Sequence, residues 1–340
     1  MEMSETPFIT VVVPVRNEEP YIGATLSMLL AQDWPADRLE ILVADGMSTD
    51  ATAEKVRQMA AKDPRVRLLE NRRKLSSAGR NLGFAQGRGD VFVVVDGHCH
   101  VEGDGLFRSI AACLQKSGAA CLGRPQPLDP PGISEFQQAV AAARASALGH
   151  GRGSYIYSKH EGFISPVSNG AVYLRRVVEA LDGVDESFDA CEDVEYNLRV
   201  EKAGFSAYMS PDLTVKYFPR ESLGGLWRQM VRYGRGRARL NAKHPETGSA
   251  ASLAPLVFVA GLLVLLLVSL FSHTGLALLL AALGFYGAVV AAFSIFLGAQ
   301  KGPRFTATLI PVFFVIHAGL GWGMLSERLA RRLFRRRAAS

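Results

Sequence analysis

Cysteine is scarce in this 340-residue chain, and its few cysteines follow no metal-ligand spacing. The absence of such spacing excludes a zinc motif built from paired cysteines. We expect all four to be small, reduced core residues, at Cys99, Cys113, Cys121 and Cys191.

Two other features are missing near the N-terminus. "PVRNEEPYIG" lacks the glycine turn that lets a backbone approach pyrophosphate, which disfavours a nicotinamide enzyme. "MEMSETPFITVVVPV" lacks a basic start followed by a long apolar segment, so no signal peptide is predicted. The first 250 residues are therefore expected on the cytoplasmic side.

Charged residues are missing from three apolar blocks, Leu253–Ser272, Leu276–Gly298 and Thr306–Leu325. Each is close to the roughly 20 residues that cross a bilayer as a helix. Buried core helices can be equally apolar, but three in succession favour membrane helices. The net charge is +6, and much of the basic surplus lies near these blocks. Attraction to a membrane surface explains that surplus better than nucleic-acid binding does.

Strand-like and helix-like segments alternate over the first 120 residues. "FITVVVPV", "EILVAD", "VRLLE" and "VFVVVD" precede predicted helices at Tyr21–Ala31, Ala51–Lys62, Ser77–Gln86 and Gly105–Lys116. This order predicts an α/β fold with a mainly parallel sheet, whose ligands bind at the carboxyl ends of strands. Further on we expect a proline-rich connection at 123–132, a helix at Ile133–Leu148, a glycine-containing loop at 150–163 and a helix at Val194–Ala203.

"GDVFVVVDGHCHV" places Asp96, His98 and His100 at intervals of two after a buried strand. If the extended geometry continues past Asp96, the three side chains leave on one face. An aspartate at a strand end can serve turn chemistry alone, as can Asp45 in "VADGMSTDAT", and a strand-end histidine can be structural. A carboxylate beside an imidazole also suits a divalent cation on a diphosphate. These residues leave both interpretations open.

"ACEDVEYNLRVEKAG" opens a predicted helix with Glu192, Asp193 and Glu195. Acidic residues favour helix N-termini, so capping explains them without catalysis. The carboxylates of the preceding "DGVDESFDA" favour a functional site instead. Residue chemistry alone does not decide between the two.

"LWRQMVRYGRGRARL" places arginines at helical spacings of four, three and four, which gives a helix one strongly basic face. Such a face is typical of a helix at a membrane interface, although a solvated basic face is the alternative. Gly234 and Gly236 argue against a regular helix, since each costs about 1 kcal/mol relative to alanine.

Six segments between Phe8 and about residue 240 together resemble glycosyltransferase family 2, the inverting nucleotide-sugar enzymes of the GT-A fold. They are "VVVPVRNEEPYI", "VADGMSTDAT", "SSAGRNLGFAQGRGDVFVVVDGHC", "NGAVYLRR", "CEDVEYNLRVEKAGF" and "QMVRY", which is similar to the family's QxxRW motif. Each segment alone is weak evidence for the family, whereas six of them in the family's order are specific evidence.

The resemblance implies roles at the matching positions. The nucleotide-sugar would be bound by Pro14, Asn17, Glu18, Asp45, Arg80, Asn81 and Asp96. Among these, Asp45 would hold the uracil or ribose, and Asp96 would approach the diphosphate through Mn²⁺ or Mg²⁺. Asp193 would be the general base. The acceptor or its diphosphate would contact Asn169, Glu192, Gln229, Arg232 and Tyr233.

The chain departs from the family pattern at two positions. The usual Asp-x-Asp is Asp96-Gly97-His98 here, so His98 is expected as the second metal ligand, which favours Mn²⁺ over Mg²⁺. Tyr233 replaces the tryptophan of QxxRW. "DGHC", "GRPQPL" and the short membrane tail look most like the glucosyltransferases that extend lipid-linked intermediates in succinoglycan-type exopolysaccharide assembly.

The resemblance thus implies a metal-dependent, inverting glycosyltransferase of the inner (plasma) membrane. It would transfer a hexose from UDP-glucose to a polyprenyl-diphosphate-linked saccharide, with the lipid bilayer and no nucleic acid as partners. A processive polysaccharide synthase and a non-catalytic nucleotide-binding membrane adaptor are the alternatives. Retention of Asp96 and Asp193 disfavours the adaptor.

The expected domains are a cytoplasmic GT-A catalytic domain at 1–220, an amphipathic interfacial helix region at 221–250, a membrane domain with two or three helices at 251–326 and a basic tail at 327–340. A third full crossing would send "ERLARRLFRRR" outside, which the positive-inside rule opposes. The last apolar segment is therefore a candidate for a re-entrant or interfacial helix.

Overall fold

A computed structural model describes residues 4–150 and 155–338. The chain divides into two compact units, of which the first comprises Met1–Pro131 and Gly153–Phe218 and the second comprises Gly132–Arg152 and Pro219–Ser340. Residues 151–154 of the predicted glycine-containing loop and the last two residues of the basic tail lie outside the described residues.

The first unit contains an eight-stranded mixed sheet and a separate two-stranded sheet. The strands are β1 (Ile9–Val15), β2 (Leu39–Asp45), β3 (Val66–Glu70), β4 (Val91–Val94), β5 (Cys99–His100), β6 (Cys121–Gly123), β7 (Gly162–Ile164), β8 (Gly170–Leu174), β9 (Ala207–Met209) and β10 (Lys216–Tyr217). The large sheet has the order β3-β2-β1-β4-β8-β6-β9-β7, and β5 pairs with β10. The predicted α/β fold with a mainly parallel sheet is confirmed.

The directions of the strands place the ends of several of them along one edge of the large sheet. The first four strands are parallel, whereas β8 runs antiparallel to both of its neighbours, β4 and β6. The carboxyl ends of β2, β1, β4 and β6 and the amino end of β8 therefore lie along the same edge.

The described helices follow the predicted pattern closely. They are α1 (Ile22–Leu30), α2 (Thr52–Ala60), α3 (Ser76–Gln86), α4 (Leu106–Ser117), α5 (Glu135–Ala145), α6 (Ala147–His150), α7 (Arg175–Ala180), α8 (Glu192–Lys202), α9 (Leu223–Lys243), α10 (Ala250–Ser269), α11 (His273–Gly298) and α12 (Pro303–Ala338). The single helix expected at 133–148 is two helices, because the chain leaves helical geometry at Ser146, whose backbone is extended.

Apolar strands are buried on both faces of the large sheet. Val11 and Val13 of β1 belong to one core cluster together with Ile22 of α1, and Val12 belongs to another together with Phe84 of α3. This double burial explains why the strands read as uninterrupted apolar runs. All four cysteines are free. Cys99, Cys113 and Cys121 are buried as expected, whereas Cys191 is only half-buried at the start of α8, so the expectation of a core position is wrong there.

The second unit contains the three apolar blocks as α10, α11 and α12, each long and apolar enough to cross a membrane by length and composition. Helix α9 is uninterrupted, so the irregularity expected from its glycines is not present. Gly234 is buried, and a Cβ there would overlap the carbonyl oxygen of Leu320 in α12. The glycine therefore permits close helix packing rather than interrupting the helix.

Candidate active site

The loops after β1 and β2 are held together by side chains that the sequence assigned to nucleotide binding. Asp45 is buried and accepts hydrogen bonds from the backbone and the hydroxyl of Ser48. Asn17 donates its backbone N–H to the Ser48 hydroxyl oxygen at 2.9 Å and accepts from the Thr49 N–H at 2.8 Å. Pro14 is buried within β1. Nucleotide contacts of these residues stay a prediction.

The chain bends directly after Asp96 instead of remaining extended. Strand β4 ends at Val94, Gly97 and His98 form a bend, and His100 belongs to the two-stranded sheet. The expectation that one extended segment carries all three polar side chains is therefore wrong. The bend presses Gly97 against β1 and the loop after it, since a Cβ there would lie 2.7 Å from Val15 Cγ1 and 3.1 Å from Glu18 Cγ.

The bend brings His98 onto a carboxylate. His98 Nδ1 lies 3.0 Å from Glu18 Oε1, and both side chains are largely buried. The rings of Tyr21 and Tyr217 lie 6.4 Å and 6.0 Å from the imidazole, centroid to centroid. The carboxylate favours the tautomer in which Nδ1–H donates to Glu18, which leaves the Nε2 lone pair for another partner.

Asp96 is half-buried and stands two residues before His98. Within the described ranges, no group of three or more His, Cys, Asp or Glu side chains converges in a metal-binding arrangement. Two protein ligands, completed by phosphate oxygens and water, match the way divalent cations are commonly held on nucleotides. The donor set thus fits a cation that arrives with a phosphorylated ligand.

Arg80 pairs with the acidic start of α8. Its Nη2 lies 3.5 Å from Glu192 Oε1, with both side chains largely buried. Burial alone would lower the pKa of Arg80, but the charges of Glu192, Asp193 and Asp96 outweigh this effect and hold that pKa above its ordinary value. Burial raises the pKa of Glu192. Asp193 is half-buried and is the more accessible carboxylate of the pair.

Asn81 supports the loop before α8. Its Nδ2 donates to the Val184 carbonyl and to Glu186 Oε1, both at 2.9 Å, and its Oδ1 accepts from the Val184 N–H at 2.7 Å. The resemblance assigned Arg80 and Asn81 to the nucleotide side. In the structure both contact the segment that carries the Glu192–Asp193 pair.

Asn169 and Arg124 meet at the same sheet edge. Asn169 precedes β8, is buried, and donates from Nδ2 to the Arg124 carbonyl at 2.7 Å. Arg124 follows β6 and donates from Nη2 to the Tyr217 hydroxyl at 2.8 Å. Neither Arg124 nor Tyr217 was predicted from the sequence as a site residue. An arginine directly after a short apolar strand was the available signal.

The predicted acceptor motif lies on α9, in the second unit. Gln229 Nε2 donates to the Tyr233 hydroxyl at 3.3 Å, one helical turn away, and Arg232 is exposed. The guanidinium of Arg144 stacks over the Tyr233 ring at 5.7 Å.

The sequence model described as "Glycosyltransferase like family 2" matches residues 6–236. The chain is 33% identical over 248 residues to "Succinoglycan biosynthesis protein ExoA" of Rhizobium meliloti, covering 72% of this chain and 74% of that protein. It is 28% identical over 241 residues to the "Dolichyl N-acetyl-alpha-D-glucosaminyl phosphate 3-beta-D-2,3-diacetamido-2,3-dideoxy-beta-D-glucuronosyltransferase" of Methanococcus voltae, covering 69% of this chain and 74% of that protein.

Two solved structures share the fold. Mannosyltransferase PcManGT from Pyrobaculum calidifontis, in complex with GDP-Man and Mn²⁺, has a TM-score of 0.59 and 21% identity and covers 93% of this chain and 88% of that chain. S. aureus TarS 1-349 in complex with UDP has a TM-score of 0.50 and 14% identity and covers 92% of this chain and 90% of that chain. These likenesses show the GT-A fold. Because the family match spans most of the chain and a relative at 33% identity covers nearly three quarters of it, the chain belongs to glycosyltransferase family 2.

Proposed function

We propose that this glycosyltransferase is metal-dependent and inverting, and that it transfers one hexose from UDP-glucose to a polyprenyl-diphosphate-linked saccharide at the cytoplasmic face of the plasma membrane. The names of relatives support this direction: one belongs to succinoglycan biosynthesis, and another acts on a dolichyl-phosphate-linked sugar. The three apolar helices support attachment to a membrane.

One observation carries the proposal, namely the order of groups around the sheet edge. Asp45 follows β2, Asp96 follows β4, and Asp193 stands at the start of α8. Arg80 interacts electrostatically with both Asp96 and Asp193. The residues proposed for the nucleotide, for the diphosphate and for the base would thus belong to one polar region.

Asp96 and His98, through its free Nε2, are the residues that would hold a divalent cation. A bound Mn²⁺ or Mg²⁺ would supply charge neutralisation of the leaving diphosphate. Glu18 would keep His98 in the tautomer that binds metal. The direct nucleotide contact that the resemblance implies for Glu18 stays a prediction beside this role.

Asp193 would accept the proton of the acceptor hydroxyl while the hydroxyl oxygen attacks C1 of the hexose. The bond from C1 to the diphosphate oxygen breaks, and its electron pair leaves with the nucleoside diphosphate. Attack from the opposite side inverts the configuration at C1. Glu192 is less suited as the base, because it is buried against Arg80. General-base catalysis of this kind contributes about 10²–10⁴-fold.

A single addition is expected because the membrane segments lack the means to enclose a polymer. A processive synthase needs a polar conduit through the bilayer. The three apolar blocks contain no Asp, Glu, Lys or Arg, and one subunit has too few of them to surround such a path.

The test uses the full-length protein in detergent or nanodiscs with a panel of UDP- and GDP-sugars, a bacterial membrane lipid extract, and mass spectrometry of the lipid products. A lipid one hexose heavier, formed with UDP-glucose, is the expected result. A ladder of additions would favour the processive synthase. Nucleotide binding without transfer or hydrolysis would favour the adaptor.

A further inference from the structure

Arg124 is a buried cation whose donors are only partly used. It is 2% exposed, and its Nη2 donates to the Tyr217 hydroxyl. Its Nε and Nη1 have no hydrogen-bond partner in the part of the chain that the structure describes. Burying a charged group without partners is destabilising, so a ligand that supplies acceptors would relieve this cost.

Asn169 adds an unused acceptor beside Arg124. Its Nδ2 donates to the Arg124 carbonyl, and the Arg124 N–H donates to the Asn169 carbonyl at 3.3 Å. Asn169 Oδ1 is buried and has no partner among the described residues. The two neighbouring side chains therefore offer two unpaired donor atoms and one unpaired acceptor.

The position of this pair follows from the strand order. Along β2-β1-β4-β8-β6, the same edge carries Asp45, then Asp96, then Asn169, then Arg124. Neighbouring strands are about 4.8 Å apart, so β6, which Arg124 follows, lies about 10 Å from β4, which Asp96 follows. If the nucleoside lies at Asp45 and the diphosphate at Asp96, the next group of the donor reaches Asn169 and Arg124.

We propose that Arg124 and Asn169 bind hydroxyl groups of the donor's sugar ring. This inference rests on the proposed function, which supplies the nucleotide-sugar. A hydroxyl both accepts and donates, so it can accept from Arg124 and donate to Asn169 Oδ1. A phosphate offers only acceptors and would leave Asn169 Oδ1 unpaired. Two free donors beside one free acceptor therefore favour a hydroxyl-bearing ring as the ligand of this pair.

The test compares a free nucleotide with its sugar conjugate, by calorimetry with Mn²⁺ on the full-length protein in nanodiscs. The probes are UDP, GDP, UDP-glucose, UDP-GlcNAc and GDP-mannose. We expect Arg124→Met to weaken binding of the preferred nucleotide-sugar by about 10- to 100-fold and to leave binding of the free nucleotide within about twofold. Arg72→Met, at an exposed arginine of the same unit, is the matched control and should change neither.

Two results would overturn the inference. An equal loss for the free nucleotide and its sugar conjugate would assign Arg124 to the diphosphate. Unchanged binding of both would mean that the pair holds only buried water. If the wild-type protein binds none of the five probes, the proposed function itself is contradicted. This outcome is distinguishable from failure of the inference, because it needs no variant.

A second measurement covers the case in which Arg124→Met does not fold. Wild-type protein is titrated with a series of the preferred nucleotide-sugar in which single ring hydroxyls are replaced by hydrogen. We expect at least one deoxy analogue to bind about tenfold more weakly or worse. Equal affinity across the whole series would contradict the inference.

Discussion

At the residue scale, Glu192 and Asp193 are adjacent in sequence but differ in their surroundings. Glu192 is buried against Arg80, whereas Asp193 is half-buried and its Oδ1 accepts only the Val194 N–H at 2.8 Å among the hydrogen bonds described. Asp193 is therefore the more accessible carboxylate, as the proposed base requires, whereas Glu192 forms an ion pair with Arg80.

We expect Asp193→Asn to retain nucleotide-sugar affinity and to lose turnover by about 10²–10⁴-fold, because a base acts in the transition state. Asp189→Asn, at an exposed carboxylate of the preceding loop, is the control and should stay near wild-type activity. Binding is measured by calorimetry and turnover by release of nucleoside diphosphate. Near-normal turnover of the Asp193 variant would place the base elsewhere.

His98 and Glu18 should set metal affinity and metal choice together. Removal of a carboxylate that orients a metal-binding histidine costs about 10- to 100-fold in affinity, so Glu18→Ala should weaken Mn²⁺ binding in the presence of UDP by that factor. His98→Asp should shift the preference toward Mg²⁺, which favours carboxylate oxygens.

The metal measurement is electron paramagnetic resonance of free Mn²⁺ in competition with Mg²⁺. Glu19→Ala is the control, since Glu19 interacts with Lys55 and the Ala51 N–H rather than with His98. If Glu18→Ala binds Mn²⁺ as tightly as the Glu19 variant does, Glu18 does not position a metal ligand, and if His98→Asp leaves the metal preference unchanged, His98 is not a ligand.

At the scale of elements, the contact between α9 and α12 depends on small residues. A Cβ at Gly234 would overlap the Leu320 carbonyl, and one at Gly323 would overlap the Val231 carbonyl. Met230 and Leu226 of α9 are buried in the same cluster as Phe313 of α12. The apolar side of α9 is thus covered by protein, while Arg228, Arg232 and Arg235 remain exposed.

Gly234→Ala should destabilise the second unit by about 1–3 kcal/mol, because backbone atoms on the facing helix cannot move aside as a flexible side chain can. The measurement is the melting temperature in detergent. Gly224→Ala, on the same helix, is the control: the nearest atom to its added Cβ is Arg228 Nη1 at 3.7 Å. Equal melting temperatures of the two variants would show that α9 and α12 do not pack so closely at Gly234.

At the scale of the whole molecule, the three apolar helices differ in how far protein covers them. The most apolar stretches of α10 and α11 are 0% and 11% buried, whereas that of α12 is 50% buried. Helix α12 packs against α5 near Phe305 and Leu309, and its Glu327 binds Arg239 of α9 at 2.8 Å. Both partner helices carry charged residues, which are costly within lipid.

We therefore expect α10 and α11 to cross the membrane and α12 to remain at the cytoplasmic interface. Lys301, Arg304 and the basic tail then lie on the same side, in agreement with the positive-inside rule. The test is labelling by an impermeant maleimide of cysteines introduced at Ser340 and, as control, at Thr274 near the α10–α11 turn. Thr274→Cys should react in intact cells and Ser340→Cys only after lysis; labelling of the latter in intact cells would contradict this topology.

Local pattern alone determined β1 to β4, most helix limits and the apolar helices of this protein. Apolar runs such as Val91–Val95 indicate strands that are buried on both faces of a sheet, and long blocks without charged residues indicate helices that are shielded from water. Both patterns can be recognised in a short stretch of consecutive residues. The family followed from six short motifs, and the matching family model confirms it.

Only the tertiary structure decided which distant residues meet. Glu18 contacts His98 across 80 positions, and Arg124 contacts Tyr217 across 93. Nothing in a local pattern distinguishes Glu18 from Glu19, because the choice depends on the bend at Gly97 and on strand order. The packing of α12 against α5 and α9 also depends on the tertiary structure. Hydropathy measures how apolar a helix is, whereas packing decides whether protein or lipid surrounds that helix.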